Sequence, residues 1–493
     1  MFSLRFSAAL GIAEQVRLCS RLHENFLVYS FTCLLKIVPF YMSPLPVPPK
    51  IYPASAGTGK TTLTAAIVRM LTAYARKVVL LAPTGRAAKV LSVNAGMPAF
   101  TIHRKIYRQK TFEGDFNLND NLHTDTLFVA DEASMIANEG LTQSVFGSGR
   151  LLDDLVQYVY NGKGCRLMLI GDTAQLPPVG EEESPALSTA FMQGYGLRVF
   201  ESDLREVLRQ SQQSGILYNA TVIRQLITHD GMTQLPRIVF NRFTDIQVVR
   251  GDELIEQLAT SYSEVGQDET MVVTRGNNRA NIYNQGIRNM VLGCEEQLTT
   301  GDMLMIVKNN YFWTEKEKKE SGEGSAGAVP AFLANGDRAK VLRVSNYIEL
   351  YGFRFATLLL QLPDYDDYEM QVTGMLDTLQ SEAPALTHEQ QEELFRQVEE
   401  DYQHFVPLKA DRMKSIRQDA YFNALQIKYA YAVTCHKAQG GQWAHVYVDQ
   451  GYMTDDMLTP DYIHWLYTAF TRATDKLFLV NWPKEQTCEP TDL

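Results

Sequence analysis

Eight residues starting at Ala54 carry the most explicit chemistry of the chain: Ala54-Ser-Ala-Gly57-Thr58-Gly59-Lys60-Thr61. A glycine-rich turn entering a helix lets successive backbone N–H groups wrap a polyphosphate, and the positive end of the helix favours its charge. Gly57, Thr58, Gly59, Lys60, Thr61 and Thr62 are therefore the expected nucleotide-binding set. Lys60 is expected to reach the β- and γ-phosphates, and Thr61 to hold Mg²⁺ through its hydroxyl. The usual pattern opens with Gly; Ala54 stands there instead and adds one methyl group. A second signal is the apolar run Leu127–Ala130, which ends in Asp131-Glu132-Ala133-Ser134. An acid at the tip of a strand can hold the Mg²⁺ shell, the role expected of Asp131. Glu132 beside it can polarise an attacking water. ATP and Mg²⁺ are thus the implied ligands, and hydrolysis is favoured over transfer to a second substrate.

A γ-phosphate leaving as a metaphosphate-like group needs positive charge from outside the loop. Arg209, in Leu204-Arg-Glu-Val-Leu-Arg209-Gln210, and Arg472, in Tyr467-Thr-Ala-Phe-Thr-Arg472-Ala473, are the candidates. Both lie far along the chain in what reads as a second sheet. They can reach the first site only when a cleft closes, which would make hydrolysis and closure one event.

The elements that must position these residues are legible from residue 50 onward. Short apolar runs recur at Val78–Ala82, Leu127–Ala130, Leu167–Ile170, Met271–Thr274, Val446–Val448 and Leu477–Val480. Bounded by turn residues and separated by helical segments, they predict strands buried on both faces of parallel sheets. Leu63, Ile67, Met70 and Leu71 fall on one side of a helix that would cover such a sheet. Residues 104–126 are polar and turn-rich and read as a small insertion. From residue 296 to about 425 the pattern changes to alternating strands, at Met303–Val307, Ala339–Val344 and Phe355–Leu362, with a turn at Asn335-Gly336-Asp337. This predicts a small barrel. Residues 314–327, rich in Lys, Glu, Gly and Ser, read as a mobile loop. An acidic helix follows, opened by the capping box Thr387-His388-Glu389-Gln390.

Length and composition bound the answer. A chain of 493 residues exceeds one core and predicts two to four domains. Its 45% hydrophobic and 21% charged residues are those of a globular protein. A net charge of −11 is the wrong sign for bulk polyanion binding, but a motor on nucleic acid needs only a local basic track. The six cysteines are scattered without close pairs, which argues against a disulfide framework or a zinc site. Residues 1–22 superficially resemble an organelle transit peptide, with a helix and strand leading into the first domain as the plain reading. The apolar stretch 26–42 is broken by Lys36 and Pro39 before a bilayer-spanning length, so no membrane insertion is expected.

Gly171-Asp172-Thr-Ala-Gln175-Leu-Pro-Pro-Val-Gly180 makes a resemblance specific: it looks like motif III of superfamily 1 helicases. In that family the glutamine senses the γ-phosphate and couples it to the DNA groove, a role Gln175 would inherit along with Asp172. Ala82-Pro83-Thr84-Gly85-Arg86-Ala-Ala-Lys89 resembles motif Ia, and Thr101-Ile-His103-Arg104 resembles motif Ib. The Arg209 segment is similar to motif IV, Ala432-Val-Thr434-Cys-His436-Lys437-Ala-Gln439-Gly440 to motif V, and the Arg472 segment to motif VI. The resemblance spans residues 54 to about 480. Its finer features are those of the RecD, Dda and Pif-type branch, subgroup B.

The resemblance implies an α/β fold of two RecA-like P-loop motor domains with parallel sheets, a small hairpin insertion and an SH3-like barrel insertion. The expected division is an atypical segment at 1–45 and a first motor domain at 46–205, with its insertion at 104–126. A second motor domain is expected at 206–295 and 426–493, interrupted by the barrel domain at 296–425. It implies an ATP-dependent DNA helicase moving 5′ to 3′ on single-stranded DNA, with Lys60, Glu132, Gln175, Arg209 and Arg472 catalytic and Thr61 and Asp131 on Mg²⁺. Pro83, Thr84, Gly85, Thr101, His103, Thr434, His436 and Lys437 would contact the strand. Implied partners are single-stranded DNA and duplex junctions, with a place for a protein partner on the 296–425 insertion. A cytoplasmic or nucleoid-associated monomer is expected. Trp313, Tyr311 and Phe312 could stack bases, but core packing of the barrel is the favoured reading. One departure concerns adenine: the only upstream glutamine candidate, Gln15, lies far from Lys60. A translocase that displaces proteins without separating strands remains a competing reading. A P-loop kinase fails to explain Arg209, the motif V match and Arg472.

Overall fold

The computed structural model describes residues 50–53, 60–109, 116–139, 147–202, 214–228, 235–321, 329–330, 332–454 and 457–488. Two parallel sheets dominate. The first has six strands in the order Ala99–Thr101, Lys77–Ala82, Thr126–Ala130, Arg166–Gly171, Lys50–Pro53, Phe200–Glu201. The second has five, in the order Ala432–Thr434, Thr270–Thr274, Trp443–Asp449, Ala473–Val480, Ile246–Val249. All six apolar runs picked out in the sequence are strands of these sheets, extended by a few residues.

Side-chain alternation explains why both faces of the first sheet must be covered. Leu80, Val129 and Met168 point to one face and pack with Ile67, Val68 and Leu71 of the helix Lys60–Ala73. Their neighbours Leu81, Phe128, Leu167 and Leu169 point to the other, against Ile102, Leu152, Leu155 and Val159. A strand that is apolar at every position has no face for water, so parallel pairing with helices on both sides is the packing that satisfies it. The sequence's amphipathic reading of the first helix holds, with Leu63 and Met70 packed at the margin of that core.

Within 104–126 the structure holds a two-stranded antiparallel pair, Tyr107–Gln109 with Phe116–Leu118. The later insertion is a closed five-stranded barrel of Met303–Ile306, Arg338–Leu350, Phe353–Leu362, Tyr368–Met375 and Leu425–Tyr429. Its last strand begins at residue 425, where the insertion is expected to end, and runs to Tyr429, pairing with both Met303–Ile306 and the end of Tyr368–Met375. A bidentate ion pair ties the barrel to the second sheet: Arg288 Nε and Nη2 meet the two oxygens of Asp302 at 2.8 and 2.9 Å. Tyr431 Oη adds a third bond to Asp302 at 2.9 Å.

Two expectations about the insertion fare differently. The helix His388–Phe405 opens with the capping box read from the sequence: Gln390 N donates to Thr387 Oγ1 and Thr387 N donates to Gln390 Oε1. The first part of the mobile loop expected at 314–327 is instead helical, in the helix Phe312–Ser321, and residues 322–327 lie outside the described residues. Its Lys and Glu residues are good helix formers, and Asn310 Oδ1 accepts from Trp313 N to start the turn. Trp313 itself is buried in the core, its Nε1 donating to Asn423 O at 3.0 Å, while Tyr311 stacks on Phe332. The packing reading of this cluster is the one the structure adopts. Among the described residues no helix is long and apolar enough to cross a membrane.

Outside the barrel, Phe355, Met375, Leu386, Leu394, Val398 and Ile416 form a separate small core under the helices His388–Phe405 and Lys409–Arg417. Phe355 is fully buried and meets Tyr421 edge to face at 5.2 Å. Phe355→Ala should cost about 3–5 kcal/mol through the cavity it leaves. Urea denaturation checks this; a loss under about 1 kcal/mol would show that the small core contributes little.

Candidate functional site

Sheet order brings the first site together. Arg166–Gly171 lies between Thr126–Ala130 and Lys50–Pro53, so three neighbouring strand tips lead into residues 54, 131 and 172. A crevice at the carboxyl ends of parallel strands is where such sheets bind ligands. Lys60 opens the helix Lys60–Ala73 and places Nζ 3.6 Å from Asp172 Oδ2. Asp131 is buried, with Oδ1 accepting from Glu132 N at 2.9 Å. Burial, reinforced by the neighbouring Glu132 carboxylate, pushes the Asp131 carboxyl up to about 6, against the pull of that N–H and of Lys60.

Glu132 adopts the left-handed conformation, φ +50°, which non-glycine residues rarely hold without a reason of position. Its Oε2 is buried without a hydrogen-bond partner, as is Oε1 of Gln175. Orphaned carboxylate and amide oxygens beside a lysine and a buried aspartate are a donor set suited to a hydrated divalent cation and a polyphosphate.

The Asp172–Leu176 loop is held from the second sheet. Thr468 Oγ1 accepts from Leu176 N at 2.8 Å, and Tyr467 Oη donates to Asp172 Oδ2 at 2.7 Å. His464 Nδ1 lies 2.9 Å from Ala174 O. All three come from the helix Pro460–Phe470. Gln439 Nε2, from the segment after Thr434, donates to Leu176 O at 2.7 Å. Arg224, on the helix Gly215–Thr228, donates from Nη1 to Asp172 Oδ1 at 2.7 Å.

Of the residues expected to contact a strand, Thr84 meets the second domain directly. Thr84 and Thr101 cap the helices Gly85–Ala95 and Ile102–Ile106, their hydroxyls accepting from Ala87 N and Arg104 N. Gly440, at φ +72°, approaches so closely that a Cβ there would lie 3.0 Å from Thr84 Oγ1. This glycine lets the second domain's loop meet the first domain's cap. Pro83 and Gly85 flank Thr84 in the same strand-to-helix turn. Thr434 precedes the short helix Cys435–Ala438, which carries an exposed His436 and a half-buried Lys437. Burial lowers the Lys437 ammonium to about 8 and His103 to about 4, so His103 is neutral at pH 7.

Other expected residues are placed elsewhere or not described. Arg472 is buried in the second domain, where its guanidinium donates to Thr468 O, Gly441 O and Thr471 Oγ1 at 3.0–3.1 Å. Arg209, Gln15, residues 1–49 and Gly57, Thr58 and Gly59 lie outside the described residues, as do the side chains of Thr61 and Thr62. Arg224, Thr468 and His464 were missed as site residues. Thr468 lies inside a recognised motif, whereas Arg224 is a lone arginine on a helix with no local signal. Arg86 also gains a partner across the domains: its guanidinium sits 4.3 Å over the Trp443 ring and donates to Gln442 O.

Comparison with known proteins finds two partial matches to family models. A model described as an AAA domain matches residues 50–225, and one described as a UvrD-like helicase C-terminal domain matches residues 429–480. The ATP-dependent RecD2 DNA helicase of Deinococcus radiodurans is 25% identical over 86% of this chain and 45% of its own length. Protein R530 of Acanthamoeba polyphaga mimivirus is 24% identical over 86% of this chain and 93% of its own. The chain therefore spans under half of the RecD2 protein. Among solved structures, the Pif1 helicase of Candida albicans aligns over 94% of this chain and 96% of its own, at 14% identity and a TM-score of 0.44.

The Thr468–Leu176 bond makes a direct prediction. Thr468→Val keeps the shape but leaves the buried Leu176 N–H without its acceptor, at a cost of about 1–3 kcal/mol. The urea midpoint should fall accordingly; an unchanged midpoint would mean that the bond between the domains does not hold in solution.

Proposed function

We propose that this chain, a superfamily 1 helicase of the RecD and Pif type, hydrolyses ATP beside Lys60 and converts closure of its two parallel-sheet domains into 5′-to-3′ movement along single-stranded DNA. One observation carries the reading: the loop Asp172–Leu176 at the first sheet's crevice is bonded to Thr468, Tyr467 and Gln439 of the second domain. A change at the phosphate site therefore has a direct mechanical path to the other half.

In this reading Lys60 binds the β- and γ-phosphates, and Thr61 and Asp131 hold Mg²⁺. Bound there, Mg²⁺ would neutralise charge on the phosphate oxygens. Glu132, with its unpartnered Oε2, takes the proton of the attacking water. Gln175 orients that water or the γ-phosphate through its unpartnered Oε1 or its amide. Arg209 supplies charge from the second domain, and Arg472 joins it if closure trades its three internal bonds for phosphate. The strand runs past Pro83, Thr84, Gly85, Thr101 and His103 on one side and Thr434, His436 and Lys437 on the other. The antiparallel pair Tyr107–Gln109 and Phe116–Leu118 is assigned the parting of a duplex.

Lys60→Ala should abolish ATP hydrolysis and unwinding of a forked duplex while single-strand binding survives. Hydrolysis at the normal rate in this variant would sink the proposal. A second measurement uses the lowered Lys437. Its ammonium is charged below about pH 8 and lost above it, so single-strand affinity should weaken as pH rises from 7 to 9. Lys437→Arg should flatten that dependence, because the guanidinium stays protonated. A slope unchanged by Lys437→Arg would remove Lys437 from the strand contact.

A further inference from the structure

Among the described residues outside the family motifs, one cation stands beside Lys60 and Asp172. Arg224 reaches from the helix Gly215–Thr228, which belongs to the second domain's core, to a carboxylate of the first. Its Nη1 donates to Asp172 Oδ1 at 2.7 Å. That same oxygen accepts from Ala174 N at 3.1 Å. The other oxygen accepts from Tyr467 Oη at 2.7 Å and faces Lys60 Nζ at 3.6 Å. Asp172 has no solvent exposure at all. Two cations, one from each domain, thus share one buried carboxylate.

The two are held unequally. Arg224 is at hydrogen-bonding distance, whereas Lys60 is at ion-pair distance only. A guanidinium is a planar fork that stays charged; an ammonium is a compact charge on a flexible stem. A triphosphate entering the crevice therefore competes for Lys60 rather than for Arg224. Lys60 can leave only if Asp172 keeps a counter-ion, because a buried carboxylate stripped of its partners is strongly disfavoured.

We propose that Arg224 is a positioning residue for ATP hydrolysis: it keeps Asp172 neutralised so that Lys60 is released to the γ-phosphate. The inference rests on the hydrolysis reading above. It also gives closure a chemical consequence. Arg224 rides on the second domain, so Asp172 loses this partner whenever the cleft opens, and Lys60 is then captured by Asp172 instead of by nucleotide.

The test is a double-substitution cycle in the full chain, with Arg224→Gln, Asp172→Asn and both together. The readouts are binding of a fluorescent non-hydrolysable ATP analogue and DNA-stimulated turnover. Arg224→Gln alone should weaken analogue binding about tenfold and lower kcat about as much, since Asp172 then holds Lys60. With Asp172→Asn already present, Arg224→Gln should change analogue binding less than about twofold, because the captor of Lys60 is gone. An equal loss in both backgrounds overturns the inference, and so does a lowered melting temperature with binding and turnover intact. If Arg224→Gln does not fold, Arg224→Lys carries the same cycle, with an expected loss of about threefold that again vanishes beside Asp172→Asn. Wild-type chain without DNA-stimulated hydrolysis would instead overturn the underlying function; active wild type with an unaffected Arg224→Gln overturns this inference alone.

Discussion

A carboxylate with no exposed surface survives in a protein only if its charge is met on every side, and Asp172 is met from both domains. Arg224 and Tyr467 reach it from the second, Lys60 and the Ala174 N–H from the first. Removing one partner of such a buried pair typically costs about 3–5 kcal/mol, far more than an exposed pair. The cleft is therefore not a passive gap. Its closed arrangement is specified by one charge that both halves must satisfy, and that charge sits directly after the central strand Arg166–Gly171, 3.6 Å from the Lys60 ammonium.

The bonds around Asp172 turn the neighbouring loop into a shared element. Leu176 gives its N–H to Thr468 and its carbonyl to Gln439, so backbone of the first domain completes side chains of the second. Backbone contacts of this kind transmit small shifts well, because a displaced peptide leaves buried polar groups unsatisfied on both sides. Glu132 and Gln175 keep an orphaned oxygen each in the same crevice. They are two of several buried polar atoms left without a partner among the described residues, and these two lie beside Asp131 and Asp172, where a ligand would complete them.

The barrel also touches the first domain. Its Asp337 lies against the start of the helix Gly85–Ala95, where a Cβ on Gly85 would come within 2.6 Å of Asp337 Oδ1. Tyr365 Oη donates to the other oxygen of Asp337 at 2.5 Å, and burial pushes that carboxyl up to about 7. A side chain at position 85 would have to push Asp337 away from this contact, a packing reason for Gly85 beside any contact to a strand. The Arg288–Asp302 pair and Tyr431 hold the barrel's entry in turn to the second sheet.

Much of this was legible in the sequence. Strands that are apolar at every position can only be buried on both faces, so the six runs from Val78–Ala82 to Leu477–Val480 announced parallel sheets. Thr387 and Gln390 announced their helix because capping is a local exchange of hydrogen bonds. The place of Lys60 at a helix start and of Asp131 and Glu132 after a strand tip was readable because both depend on short, contiguous spacing. The helix Phe312–Ser321 was not, since its Gly-, Ser- and Lys-rich continuation resembles a loop in composition. Nor could the sequence show that Arg472 would bond within its own domain, or that Arg224 would meet Asp172. What residues a few positions apart can do is decided by backbone geometry, and the sequence by itself determined that much: the parallel sheets and the barrel. Which cation neutralises a carboxylate 52 residues away, or which tyrosine reaches it from 295 residues away, is decided only when two cores pack against each other. No local pattern encodes a distance that exists only after folding.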